Sequence, residues 1–151
     1  MSPQRLGQHF LADASWRARI RRSLCVEPDD VWLEIGAGHG EMTREIARSA
    51  RRVVAVELDA PLVERLRELA EELPNVCVVA GDVLELDLQK AAGAARFRVF
   101  GSLPYYITSP ILRRLFDYVR DDVLHATNRR QQPFVYGSLP GERDFFFVAA
   151  R

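Results

Sequence analysis

Val31-Trp32-Leu33-Glu34-Ile35-Gly36-Ala37-Gly38-His39-Gly40-Glu41-Met42-Thr43 is the stretch on which the fold turns. A short apolar run ends in three glycines and a helix-like pattern follows at once, which reads as strand, tight turn and helix N-terminus. Glycines at such a turn let the backbone approach a nucleotide-like ligand with no side chain in between. The spacing is G-x-G-x-G, and Glu41 stands where the dinucleotide fingerprint G-x-G-x-x-G would place its third glycine. The loop therefore suits S-adenosylmethionine better than a nicotinamide dinucleotide.

Outward from this turn the chain alternates strand and helix. Apolar runs at Val31–Ile35, Val53–Val56, Val76–Ala80 and Phe97–Phe100 predict four strands. Helical spacing predicts helices over Asp13–Leu24 with Trp16, Ile20 and Leu24 inward, Glu41–Ala50, Pro61–Leu73 and Pro110–Arg120. In the third of these Leu62, Leu66, Leu69 and Leu73 form a stripe, Asp59 is placed to cap and Pro74 to terminate. Continuously apolar strands alternating with helices predict an α/β fold, a parallel sheet covered on both faces. Beyond Val119 the pattern weakens. Val123–Thr127 offers a fifth strand, but Asn128–Pro133 is too polar for a buried one, and Phe145–Ala150 reads as an apolar edge without its cover.

The chain has 151 residues, 48% of them hydrophobic and 28% charged, with zero formal net charge, the size and balance of one globular domain. Zero net charge excludes a global field drawing the chain onto RNA or an anionic membrane. Cys25 and Cys77 lie in apolar surroundings and are expected as buried, unpaired thiols; neither belongs to a C-x-x-C pair, and three scattered histidines give no metal spacing. No signal peptide or membrane span is visible, so a cytoplasmic location and no membrane partner are expected; a monomer is expected separately.

In an open parallel sheet ligands sit beyond the carboxyl ends of the strands. Glu57 closes the second predicted strand, where a carboxylate can accept both ribose hydroxyls. Gly81-Asp82 closes the third, where Asp82 can accept from an adenine amino group. The fourth ends in Ser102-Leu103-Pro104-Tyr105.

At that point the chain resembles the bacterial ribosomal RNA small-subunit adenine N6-dimethyltransferases (the KsgA/RsmA type). The motifs are Leu6-Gly7-Gln8-His9-Phe10-Leu11, Leu33-Glu34-Ile35-Gly36-Ala37-Gly38-His39-Gly40, Val56-Glu57-Leu58-Asp59, Gly81-Asp82 and Gly101-Ser102-Leu103-Pro104-Tyr105-Tyr106-Ile107-Thr108-Ser109-Pro110-Ile111-Leu112. The resemblance implies a class I S-adenosylmethionine-dependent methyltransferase fold, Rossmann-like and incomplete at its C-terminal edge, acting on adjacent adenines of small-subunit ribosomal RNA in the pre-ribosomal small subunit. It implies that His9, Leu11, Gly36, Gly38, Glu57, Asp82 and Ser102 border the cofactor. Ser102, Leu103, Pro104 and Tyr105 would carry the chemistry, with the Leu103 carbonyl accepting from the target amine and Tyr105 stacking on an extracted base. No metal is implied.

The sequence departs from the family twice. Ser102 stands where the family motif has asparagine, which predicts slow or absent methyl transfer. The methyltransferase domain is expected over 1–151, well matched over 1–120 and degenerate over 121–151, with the family's helical C-terminal RNA-binding domain absent. A cofactor- or RNA-binding remnant without turnover is the alternative reading, and a nicotinamide-dependent oxidoreductase is opposed by Glu41 and by the Leu-Pro-Tyr element.

Overall fold

The computed structural model describes residues 13–103, 110–118 and 121. Residues up to 103 belong to one compact unit, and the helix over 110–118 belongs to a second.

The first unit runs α1 (Ala14–Leu24), β1 (Val31–Ile35), α2 (Glu41–Ala47), β2 (Arg52–Glu57), α3 (Ala60–Glu72), β3 (Val76–Ala80), α4 (Leu88–Ala92) and β4 (Arg98–Gly101). All strand pairs are parallel, in the order β3-β2-β1-β4. The register sets Trp32 beside Val53 and Arg98, and Ile35 beside Val56 and Gly101. Chain order reverses at β1, so the crevice between the carboxyl ends of β1 and β4 is the topological switch point.

Burial explains the arrangement. β1 is buried along its whole length and β2 at its four central residues, as central strands covered on both faces must be. One face carries Trp32, Val53, Val76 and Phe100 against Leu24, Met42, Ile46 and Ala47, with Ala55 packed on Leu66 and Leu69 further along. On the other face α4 lies against β1 and buries Leu88 and Ala92.

Helix boundaries follow capping chemistry. Asp13, Asp59 and Asp87 each accept a backbone N–H of the helix they precede. Arg98 ties the end of α1 to β4, donating to the Leu24 and Cys25 carbonyls at 3.1 Å each while pairing with Asp30 at 3.4 Å.

Several expectations need correction. Helix α2 ends at Ala47 rather than Ala50, because Asn75 Nδ2 donates to the carbonyls of both Ala47 (2.8 Å) and Ala50 (3.0 Å) and closes the turn there. In α3 the buried stripe is Val63, Leu66 and Leu69, with Leu62 and Leu73 only half-buried. Trp16 is 41% exposed, its ring covered by the Arg19 guanidinium at 4.8 Å rather than by the core. Cys25 is exposed and Cys77 only partly covered, although both are free thiols as expected. Cys25 occupies the left-handed position that ends α1, at φ +46°, which turns its side chain outward. Helix α4, between β3 and β4, has no counterpart among the four helices that spacing predicts. The fifth-strand expectation at Val123–Thr127, the apolar run Phe145–Ala150 and the degenerate reading of 121–151 lie outside the described residues, save for residue 121.

Candidate functional site

The carboxyl ends of four adjacent strands converge on one edge of the sheet. At the end of β1 the amides of Gly36 and Ala37 both donate to the Val56 carbonyl, at 2.9 and 3.2 Å, so the glycine turn folds over β2 instead of continuing the strand. Gly36, Gly38 and Gly40 all take positive φ, +69°, +58° and +83°. That backbone is open to glycine at low cost and costs other residues about 1–2 kcal/mol.

Two of these glycines show why side chains are excluded. A Cβ at Gly40 would lie 2.5 Å from Leu69 Cδ2 and 3.1 Å from Leu66 Cδ2, so α2 starts where α3 leaves room for bare backbone only. A Cβ at Gly38, by contrast, would meet nothing within 4 Å: the space beside this turn is open. Gly40→Ala is expected to destabilise the fold by roughly 2–3 kcal/mol from left-handed strain plus overpacking of Leu66 and Leu69, measured by denaturant unfolding. An unchanged unfolding midpoint would contradict the packing described.

Glu57 links the tips. Its Oε2 accepts from the Gly38 amide at 2.9 Å, and its Oε1 accepts from Leu58 (2.8 Å) and Asp59 (3.0 Å). Its own carbonyl accepts from the Gly81 amide at 2.9 Å, joining β2 to the end of β3. Asp82 lies there: Oδ1 accepts from Leu84 at 2.8 Å, and its carbonyl accepts from Glu85 and Leu86 at 3.0 and 3.1 Å. Oδ2 of Asp82 has no hydrogen bond among the described residues. Ser102 follows β4 and is exposed, and Leu103 Cδ2 would stand 3.1 Å from a Cβ at Gly36. Gly36, Gly38, Glu57, Asp82, Ser102 and Leu103 are thus brought to one edge. His9, Leu11, Pro104 and Tyr105 lie outside the described residues.

Three side chains of this edge are not singled out by the sequence reading. Leu58, directly after Glu57, is 65% exposed, an apolar surface next to a strand-end carboxylate; an apolar residue following a strand-end acid is the signal that marks it. Glu34 is 3% exposed inside β1, and Thr43 Oγ1, from the first turn of α2, donates to its Oε2 at 2.6 Å. Burial raises the Glu34 carboxyl from 4.5 to about 8; the Thr43 bond opposes this, and Glu41 and Glu57 add to it. At neutral pH the group beneath the glycine turn is therefore mostly uncharged, and its signal in the sequence is a lone acid within an apolar strand. Among the described residues no cluster of histidine, cysteine or acidic side chains could hold a metal, and no helix is long and apolar enough to cross a membrane.

Comparison with known proteins gives a consistent result. The family described as "Ribosomal RNA adenine dimethylase" matches residues 2–135. The chain is 43% identical over 150 residues to "Ribosomal RNA small subunit methyltransferase A" of Chlorobium phaeobacteroides, covering 98% of this chain and 54% of that protein. It is 34% identical over 143 residues to the protein of the same name from Caldanaerobacter subterraneus, covering 92% and 53%. The chain thus spans about half the length of the curated relatives it matches. Among solved structures, the 23S rRNA methyltransferase ErmE superposes with a TM-score of 0.63 at 37% identity, over 72% of this chain and 43% of that one. An RNA methyltransferase from Salinibacter ruber, solved with S-adenosyl-L-homocysteine, gives 0.58 at 25% identity over 70% and 68%. The parallel sheet with its glycine turn is a class I, Rossmann-like methyltransferase fold.

Proposed function

The chain belongs to the ribosomal RNA adenine dimethylase family, and on that premise we propose that it transfers methyl groups from S-adenosylmethionine to N6 of adjacent adenines in small-subunit ribosomal RNA. It would do so as a cytoplasmic monomer acting on the pre-ribosomal small subunit. The observation that carries the reading is the Glu57 carboxylate joined to the Gly38 amide at 2.9 Å beside open space. A carboxylate offers about four lone-pair positions, of which three are taken by amides. One ribose hydroxyl finds a free acceptor, and the second displaces the Gly38 amide or shares its oxygen. Leu58 supplies an apolar face for the adenine ring, and Asp82 Oδ2 an acceptor for its amino group. His9 and Leu11 are assigned to the same pocket by motif position.

When bound, S-adenosylmethionine supplies an electrophilic methyl group on a sulfonium. The difficulty lies in the target, because the adenine N6 lone pair is delocalised into its ring. Acceptors aimed at the N6–H groups concentrate electron density on that nitrogen, and in-line positioning supplies the entropic part of the acceleration. The Leu103 carbonyl and the Ser102 hydroxyl would be the acceptors, and Pro104 and Tyr105 are assigned to the turn and to base stacking by motif position alone. No strong general base is required, since the methylated nitrogen cation sheds its proton readily.

Titration calorimetry with S-adenosylmethionine tests the reading. The wild type is expected to bind at one site, and Glu57→Ala to weaken binding by about 10–100-fold through the missing charge-assisted bonds. Unchanged affinity in the variant would overturn the site, and saturable binding of a nicotinamide dinucleotide would restore the oxidoreductase reading.

A further inference from the structure

The opposite, amino-terminal edge of the sheet holds a cleft of about 560 Å³, lined among others by Val31, Arg51, Arg52, Asn75, Cys77 and Gly93. Val31, Arg52 and Val76 open β1, β2 and β3, so this edge lies one strand length from the tips, roughly 17–20 Å at about 3.3 Å per residue. The cleft is therefore separate from the proposed cofactor site.

Several arginines of the first unit are taken up by acidic partners. Arg98, at the start of β4, is taken up by Asp30 and two carbonyls. Arg21 and Arg48 pair with Glu45, and Arg44 pairs with Glu72. Neither Arg51 nor Arg52 has an ion pair or side-chain hydrogen bond among the described residues, and no carboxylate lines the cleft. Arg52 is nonetheless half-buried. Gly93 ends α4 at φ +62°, and a Cβ there would stand 2.9 Å from Arg52 Nη1, so bare backbone leaves the guanidinium its seat. A partly desolvated guanidinium without a counter-charge is matched by an anion with planar or tetrahedral oxygens, phosphate above all.

We propose that this cleft is a phosphate site that takes a backbone phosphodiester of the RNA substrate. The inference rests on the reading of the chain as an RNA methyltransferase. A chain of zero net charge has no general attraction for RNA, so affinity must come from local sites of this kind. Binding at the amino edge, away from the strand tips, lets one arm of a folded RNA brace the sheet while another presents its base.

Fluorescence anisotropy with a labelled hairpin from the 3′ end of small-subunit ribosomal RNA, at about 50 to 200 mM KCl, tests this. The Arg51→Gln/Arg52→Gln double variant is expected to weaken binding and to reduce the slope of log affinity against log salt by about 0.7–0.9 for each phosphate that is no longer neutralised. Gly93→Ala, which keeps both arginines but unseats Arg52, shifts affinity in the same direction. Arg44→Gln, a single charge removal elsewhere, leaves the slope unchanged. A slope unaffected by the double variant, or lowered equally by Arg44→Gln, overturns the proposal, as does a wild type that binds no RNA at the lowest salt. If the slope is unaffected while inorganic phosphate still shifts the Arg52 Nε–H resonance, the cleft serves a free anion and not RNA. Absence of S-adenosylmethionine binding by the wild type would instead strike the methyltransferase reading and leave the salt comparison interpretable.

Discussion

Ser102→Asn is expected to raise the rate of adenine methylation by about 10²–10³, the usual effect of one well-placed hydrogen-bonding group in a transition state. Ser102 leaves β4 at the switch point, directly after Gly101, which pairs with Ile35, and before Leu103, whose Cδ2 approaches the turn at Gly36. A serine hydroxyl can accept one bond from the N6 amine, but it is shorter than an asparagine carboxamide and its own proton must point elsewhere. Asparagine offers a carbonyl acceptor farther from the backbone, with no proton on it. The gain should appear in kcat, because the interaction strengthens only as the nitrogen develops charge. Single-turnover methyl transfer to unmodified small-subunit RNA measures it. A rate unaffected by the substitution would show that position 102 takes no part in activating the amine.

Glu34→Gln is expected to become progressively more stable than the wild type as pH rises from about 5 to 8. The folded protein holds the Glu34 proton up to about pH 8, whereas the unfolded chain releases it near the ordinary 4.5. Across that window the native state binds the extra proton, so wild-type unfolding free energy falls with pH. At about 1.4 kcal/mol per pKa unit the loss is on the order of 3–5 kcal/mol. Glutamine keeps the shape and can still accept from Thr43, but it has no proton to lose. Urea unfolding of both proteins at several pH values isolates the difference, because all other groups titrate in common. Parallel profiles would contradict a buried neutral carboxyl beneath the glycine turn.

What could be read in advance was what local chemistry dictates. β1 and β3 keep their expected bounds because a continuous apolar run ended by glycine has few other readings. Asp13 and Asp59 cap as their positions imply. Other features depend on partners far along the chain. Asn75 stops α2 from 28 residues away. α2, at seven residues, spans about 10 Å and cannot cover the eleven residues of α1, so Trp16 protrudes although its spacing matches Ile20 and Leu24. α4 has five residues, too few for a period to show, and only the Asp87 cap and Gly93 end could have announced it.

The candidate site divides in the same way. Gly36, Gly38, Glu57 and Asp82 were legible because parallel topology puts every strand end on one edge. The bond from the Gly38 amide to Glu57, and with it the occupied half of that carboxylate, could not be read from spacing. Leu58 and Glu34 carried signals of type rather than of period.

The central claim, that four strand tips form one adenosyl pocket, is tested most directly by titrating ¹⁵N-labelled protein with S-adenosyl-L-homocysteine and following backbone amide resonances. The account predicts that Gly36, Gly38, Leu58, Asp82 and Ser102 shift together along a single binding curve while Arg52, Asn75 and Gly93 stay fixed. Shifts confined to the amino edge, or separate curves for the glycine turn and for Asp82, would contradict it.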